Sequence, residues 1–237
     1  MKVLTFVSNV SEQVRRSVLM KNTSIFALAA GMGSLVLASA ATADVSVSAV
    51  SMGDSGYGAQ YRLYANIDAG WRVDAVYGNA DNVLSIESNG SFYQNAFGGS
   101  TSMDINPALI AVFPSLAYDS WVTIGLTDST GNALNNIGID FGSFAGGGAL
   151  VTDNGSWFVT PDDAQGAEVN GQVLLGQFTV AGGSGVLAED FASMTVSLQG
   201  KDANGGTWNA TGLNAIPAPG ALALLGVAGL ASRRRRK

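Results

Sequence analysis

The chain has 237 residues, 47% of them hydrophobic and 13% charged, with 31 Gly, no Cys and no His. That inventory excludes a disulfide framework, thiolate or imidazole metal sites, and every nucleophilic triad built on His. Eighteen acids against twelve bases give −6, a poor balance for phosphate backbones, and the length suits one domain better than two.

That −6 is an average over three unlike segments. Residues 1–43 carry Lys2, Arg15, Arg16 and Lys21 against Glu12, a net +3. Residues 44–214 carry only Arg62, Arg72 and Lys201 against seventeen acids, a net −14, which excludes a nucleic-acid partner. Residues 215–237 carry five bases and no acid.

The first segment, 1–43, reads as a secretory signal peptide. A basic stretch ending at Lys21 precedes the apolar run Ile25-Phe26-Ala27-Leu28-Ala29-Ala30, continued by Leu35-Val36-Leu37. Ala41-Thr42-Ala43 before Asp44 is the small-x-small pattern that fits a signal-peptidase pocket. Cleavage is therefore expected between Ala43 and Asp44, with signal peptidase and the export translocon as partners. A start at Met20 would make a more compact signal. Arg15-Arg16-Ser17-Val18-Leu19-Met20-Lys21 also resembles the twin-arginine export signal, with Val18 where that family usually has Phe.

From Asp44 to Asn214 the hydrophobic period is two, the signature of half-buried strands. Val45, Val47 and Ala49 alternate with Ser46 and Ser48; Tyr61, Leu63, Ala65 and Ile67 alternate with Arg62, Tyr64, Asn66 and Asp68. Trp71, Val73, Ala75 and Tyr77 are expected on one face, opposite Arg72 and Asp74. Further strands are expected at Val83–Glu87, Ser91–Phe97, Leu109–Phe113, Ser120–Leu126, Ala149–Thr152, Trp157–Thr160, Val173–Val180 and Met194–Gln199. Asn89-Gly90, Asn154-Gly155, Asn170-Gly171 and Asn204-Gly205 offer the positive-φ residues that tight hairpins need. No helical window of twelve residues stands out between the two ends. The expected fold is all-β, an antiparallel β-sandwich or jelly roll, flanked by an N-terminal signal helix and a short C-terminal transmembrane helix. A β-solenoid is the alternative, although no fixed-period repeat is visible. Eighteen of the twenty aromatic residues lie in this segment and are expected to supply much of its core.

Three kinds of site are conceivable there. Hard oxygen ligands favour calcium alone among metals, with Asp128, Thr130 and Asn132 in one loop and Asp162 and Asp163 in another as candidate ligands. Asx-turns capping hairpins explain the same residues without a metal, and no other cofactor is implied. A glycan platform needs an exposed aromatic beside planar polar groups. Trp71, Tyr93, Trp121, Trp157 and Trp208 qualify by type, and Tyr64 by its face, shared with Arg62, Asn66 and Asp68. A glycosidase needs two carboxylates several ångströms apart, and Asp162/Asp163 and Glu189/Asp190 are the adjacent pairs. Neighbouring strand residues face opposite ways, so a solvated acidic surface and a non-enzymatic role are the expectation.

The last segment, 215–237, is the most specific. Pro217-Ala218-Pro219-Gly220 leads into Ala221-Leu222-Ala223-Leu224-Leu225-Gly226-Val227-Ala228-Gly229-Leu230-Ala231, then Ser232 and the block Arg233, Arg234, Arg235, Arg236 and Lys237. An apolar helix followed by cations is a stop-transfer arrangement. From Ile216 to Ser232 there are 17 residues, or about 25 Å of helix against a hydrocarbon core of about 30 Å. Such a short, Gly/Ala-rich terminal helix suits a transient inner-membrane anchor.

This tail resembles the PEP-CTERM sorting signal of Gram-negative bacteria: a Pro-x-Pro motif, an apolar helix and a terminal Arg cluster. The family has Glu between its prolines where Ala218 stands here. The resemblance covers the tail alone. It implies processing near Pro217 and Pro219 by an exosortase-type enzyme and delivery to the cell surface or extracellular matrix, with exopolysaccharide as a partner. The same kind of tail ends some bacterial proteins described as ice-binding, but the Thr residues here form no regular ladder. The stretches Tyr118–Gly125 and Asn154–Asp163 also resemble a unit found in other exported proteins with this tail.

Overall fold

The computed structural model describes residues 45–216. The expected cleavage residues Ala41, Ala43 and Asp44, the motif Pro217–Gly220 and the basic block Arg233–Lys237 lie outside the described residues. Twelve strands form two antiparallel sheets that share one core, a β-sandwich-like arrangement.

The first sheet contains β1 (Ser46–Asp54), β2 (Ala59–Asn66), β10 (Gln172–Ala181), β5 (Ser91–Phe92) and β6 (Trp121–Val122). β1 and β10 flank β2. β5 and β6 both lie on the far edge of β10, because Val180, Gly176 and Gln177 each pair with β2 on one side and with β5 or β6 on the other.

The second sheet contains β3 (Arg72–Gly78), β4 (Leu84–Ser88), β7 (Asn135–Ile137), β8 (Leu150–Thr152), β9 (Gly155–Phe158), β11 (Phe191–Lys201) and β12 (Thr207–Asn214). β11 organises it. β12 takes one edge of β11, while β4 and β3 follow each other along the opposite edge, and β8 and β9 pair with β4 and β3 in turn.

β2 shows the alternation its sequence demands: Ala59, Tyr61, Leu63 and Ala65 are buried and the residues between them are half-buried. β3 does not. Val73 and Val76 are both fully buried, whereas Ala75 and Tyr77 face outward. The pairing of β3 with β11 slips by one residue at Asp74, between Val73↔Gly200 and Ala75↔Gln199. A bulge of this kind inverts every side chain beyond it, so the expected common face of Val73, Ala75 and Tyr77 is incorrect.

Leu109–Phe113, expected as a strand, instead starts inside the helical turn Pro107–Ile110 and leaves it through a turn at 111–112. Asn106 caps the helical turn by accepting from the Ala108 N–H at 2.9 Å, and Pro107 opens it. Ser91–Phe97 and Ser120–Leu126 shrink to two-residue strands, because the chain between them folds over the outer face of the first sheet. There Ile105, Leu116 and Trp121 bury Leu174, which explains why β10 is buried on both faces. β7 and β12 have too little apolar alternation to stand out in sequence, and both are mainly exposed strands at sheet edges. The helical segments are single turns of at most five residues, and among the described residues no helix is long and apolar enough to cross a membrane.

Only one Asn-Gly pair makes the expected two-residue turn. Asn170 (φ 56°) and Gly171 (φ 78°) join the paired residues Val169 and Gln172, and the Glu168 carboxylate accepts from the Gly171 and Gly70 N–H groups, which holds its pKa below the usual range. Asn204-Gly205 lies in a longer β11–β12 loop, which Asp202 caps by accepting from the N–H groups of Asn204 and Gly206. Asn89-Gly90 carries the chain from one sheet to the other, and Asn154-Gly155 joins β8 to β9, which do not pair with each other.

Aromatics fill the core as expected. Phe92, Phe144, Phe178 and Phe191 meet at centroid distances of 5.4–6.5 Å, and Trp157 is fully buried with its Nε1 donating to the Thr123 carbonyl at 2.9 Å. Ala215, just past β12, is buried and donates to the Met194 carbonyl, so packing continues to the doorstep of Pro217.

Gly200 marks a close approach between strands. A Cβ there would fall inside the Arg72 carbonyl oxygen and against the Trp208 ring. Gly200→Val is expected to cost about 1–3 kcal/mol, read as a lower urea midpoint with an unchanged slope.

Candidate functional site

The outward residues of β2, namely Gln60, Arg62, Tyr64 and Asn66, face the chain that covers the first sheet. On β10 the register against β2 slips between Leu174↔Tyr64 and Gly176↔Leu63. Leu175 is the extra residue, packed in the main core, while Leu174 packs in the outer cluster. The bulge restores the phase so that Gln177 lies directly opposite Arg62.

Arg62 Nε donates to Gln177 Oε1 at 3.3 Å. Gln177 is itself buried, and its Nε2 donates to the carbonyls of Ala117 and Asp119 at 2.9 and 3.0 Å. Both ends of the amide are thus committed, which leaves its oxygen aimed at Arg62. Arg72 and Lys201 each have an acidic partner, Asp74 at 2.5 Å and Asp162 at 3.3 Å. Among the described residues Arg62 has no carboxylate within 4.0 Å.

Two adjoining pockets open here, both lined by Arg62 and Thr127. The larger, about 390 Å³, is floored by Tyr64, Gln172 and Leu174 and walled by Gly125–Thr127 and the Ala164–Ala167 turn. The smaller, about 140 Å³, reaches Trp121, Asp128 and Gln177. Gln165 locks the walls together: its Nε2 donates to the Ile124 carbonyl at 2.7 Å and to Asn132 Oδ1 at 2.8 Å, and its Oε1 accepts from the Ala133 N–H at 2.9 Å. The site is a preformed groove with a guanidinium, a tyrosine ring and amide side chains, and the larger pocket has no acidic lining residue.

Gln165 and Gln177 have no motif that would reveal them in sequence. Their importance comes from carbonyls more than thirty residues away. Arg62 and Tyr64 were legible from the alternation of β2.

The expected calcium ligands have other duties. Asp128 Oδ1 accepts from the Thr130 N–H at 2.9 Å, and that bond holds its carboxyl below the usual range. Asn132 Oδ1 accepts from Leu134 and Gln165. Asp163 Oδ1 caps the Gln165 N–H at 2.9 Å, and Asp162 pairs with Lys201. Through Gln165 the two loops are neighbours, but among the described residues no three acidic side chains converge to hold a metal. The Glu189/Asp190 pair sits on a helical turn, not a strand, with Asp190 buried.

The aromatic candidates also separate. Trp121 and Trp157 are core residues. Trp71 and Trp208 stack on each other at 5.7 Å, each using a face the other needs. Tyr93 joins Tyr57 and Tyr118 in a surface cluster, with centroids 4.7 and 5.6 Å from Tyr57, and Phe97 stacks on Phe113 nearby in sequence. Tyr64 alone of the named aromatics lines the larger pocket.

No family model, curated protein or solved structure matches this chain.

Proposed function

We propose that this is an exported, non-enzymatic protein of the bacterial cell surface or extracellular matrix whose β-sandwich holds polysaccharide in the Arg62/Tyr64 groove. The observation that carries the reading is the groove itself: a tyrosine ring, a guanidinium and amides around about 390 Å³ of preformed space. Those groups stack on sugar C–H faces and bond hydroxyls, the usual makings of a site that binds a polar ligand in fixed orientation. Hydrolysis by paired carboxylates fits less well, since the two pockets together have Asp128 as their single acidic lining residue. Ice binding would call for a flat array of Thr, and the outward faces of β2 and β10 carry Arg62, Tyr64, Gln172 and Gln177 instead.

Delivery rests on the two ends. A signal peptide over 1–43 and a sorting tail over 215–237 would bring the domain out and hold it transiently at the membrane before exosortase-type processing near Pro217-Ala218-Pro219-Gly220. The first strand starts at Ser46, three residues after Ala43, and packing persists to Ile216, immediately before Pro217. Both proposed processing points therefore flank the folded domain without cutting it.

Affinity electrophoresis of the detergent-solubilised full chain through gels containing matrix polysaccharide tests binding. Wild type should be retarded, and Tyr64→Ala should lose about tenfold or more in affinity, as expected for a stacking ring. Equal mobility in all polymers would overturn the binding role. Mass spectrometry of fractionated cells tests delivery: an intact Arg233–Lys237 terminus in the inner membrane contradicts the sorting reading.

A further inference from the structure

We propose that Arg62 reads a carboxylate, and that the groove selects an acidic, uronate-bearing polysaccharide over a neutral one; this rests on the polysaccharide reading above. Residues 44–214 carry seventeen acids and three bases. In such surroundings a base is expected to find an acid, as Arg72 and Lys201 do. Arg62 is the exception among the described residues, and it is the one that lines both pockets.

Its geometry is that of a prepared receptor. Gln177 holds Nε, and the backbone carbonyls of Ala117 and Asp119 hold Gln177. No described residue accepts from the two terminal guanidinium nitrogens, which form the edge that engages a carboxylate bidentately. The Tyr64 ring, for a sugar face, and the Gln172 amide line the same pocket as Arg62. Gln172 Nε2 is already committed to Asn66 Oδ1 at 2.8 Å, so its oxygen remains for a sugar hydroxyl. Glu and Asp are absent from the lining of the larger pocket, so a ligand carboxylate there meets no like charge at contact distance. Asp128, on the smaller pocket, lies more than 4.0 Å from the Arg62 guanidinium and accepts from its own loop at the Thr130 N–H.

The net charge makes a distinctive demand on salt. A basic patch that collects polyanions weakens as salt is added. Here the domain at large repels a polyanion, while the attraction is one short-range contact. Shortening the Debye length from about 30 Å at 0.01 M to about 10 Å at 0.1 M therefore screens the repulsion more than the contact.

The test compares polygalacturonate, the same polymer methyl-esterified, and neutral dextran, using affinity electrophoresis of the full chain with Lys2, Arg15, Arg16, Lys21 and Arg233–Lys237 replaced by Gln, so that the basic ends collect no polyanion; this background is the wild type of the comparisons below. Wild type should bind polygalacturonate about tenfold or more tighter than its ester, and should bind it no more weakly at 0.1 M salt than at 0.01 M. Arg62→Gln, with unchanged near-ultraviolet circular dichroism, should reduce that preference to about twofold while keeping affinity for the ester. Arg62→Lys, which keeps the charge but not the fork, should fall between them and guards against a folding defect in the Gln variant. Equal binding of acid and ester by wild type overturns the carboxylate assignment alone, as does a full preference retained by Arg62→Gln. Failure of wild type to bind any of the three polymers overturns the polysaccharide reading with it.

Discussion

Asp190→Ala is expected to destabilise the protein by about 3 kcal/mol or more, read as a drop in Tm of about 10 °C for a domain of this size. Asp190 is 4% exposed and, among the described residues, has no basic partner within 4.0 Å. Its charge is held by donors: the Tyr61 hydroxyl at 2.5 Å, the Ser184 N–H at 2.6 Å, the Ser184 hydroxyl at 3.1 Å and the Gly185 N–H at 2.9 Å. Burial pushes the carboxyl up, but these donors outweigh it and hold the pKa below the ordinary range. Tyr61 is pushed well above its usual value by burial and by Asp190 beside it. Tyr61 stands on β2 and Asp190 ends the helical turn that leads directly into β11, so the bond ties the first sheet to the start of a strand of the second. Alanine would strand the buried Tyr61 hydroxyl and remove the acceptor that fixes the Ser184–Gly185 turn through its two N–H groups. Tyr61→Phe removes one donor and leaves the others in place, so it should cost about 1–2 kcal/mol. In a double-mutant cycle the two changes should couple strongly, and additivity would show that they act independently.

Stability should fall as pH rises from 4 to 6, by up to about 3 kcal/mol, and Asp119→Asn should abolish most of that fall. Burial pushes the Asp119 carboxyl up to about 6, against the lowering effect of the Asn95, Ser120 and Gly99 N–H groups that it accepts from; nearby Asp104 adds to the rise. A carboxyl whose folded pKa lies above its unfolded value is bound to its proton more tightly in the native state. Its contribution is therefore complete below the unfolded value of 3.8 and is lost as pH climbs through about 6. Asp128 and Asp190 act the other way. Both are held low, so the stability they provide disappears only as pH drops through the acidic range below 3.8. Glu168 is held low as well, and its ordinary value of 4.5 puts its opposing effect near the bottom of the window, so the fall between 5 and 6 is the part that reports Asp119. Urea midpoints taken at each pH unit would show it, and an Asn variant with an undiminished slope would refute the assignment. Asp119 also matters to the groove, because its carbonyl is one of the two that fix Gln177 behind Arg62.

The legibility of the groove follows the range of its interactions. Arg62 and Tyr64 were visible because a strand of period two puts them on one face wherever it lies. Gln165, Gln177 and the backbone carbonyls that hold them were not, since their partners are set by which loops meet in space. The calcium candidates are ambiguous in sequence for a related reason. Asx residues in turns offer oxygens to a cation and to nearby N–H groups alike, and here Thr130, Leu134 and Gln165 occupy them.

Composition and period alone determined that this domain is β-rich and antiparallel, that aromatics fill its core, and that its charge is concentrated as −14 between two basic ends. Those properties depend on residues and their near neighbours. Asn106 and Pro107 carried a local helix-start signal too, but the continuous apolar run after them, Ala108–Phe113, concealed it. Tertiary structure decided the rest: the bulge at Asp74 that inverts β3, the bulge at Leu175 that places Gln177 opposite Arg62, and the isolation of Arg62 from every described acid. A bulge is a mismatch between two strands, and an unpaired charge is a fact about a whole neighbourhood. Neither is a property of any segment taken singly.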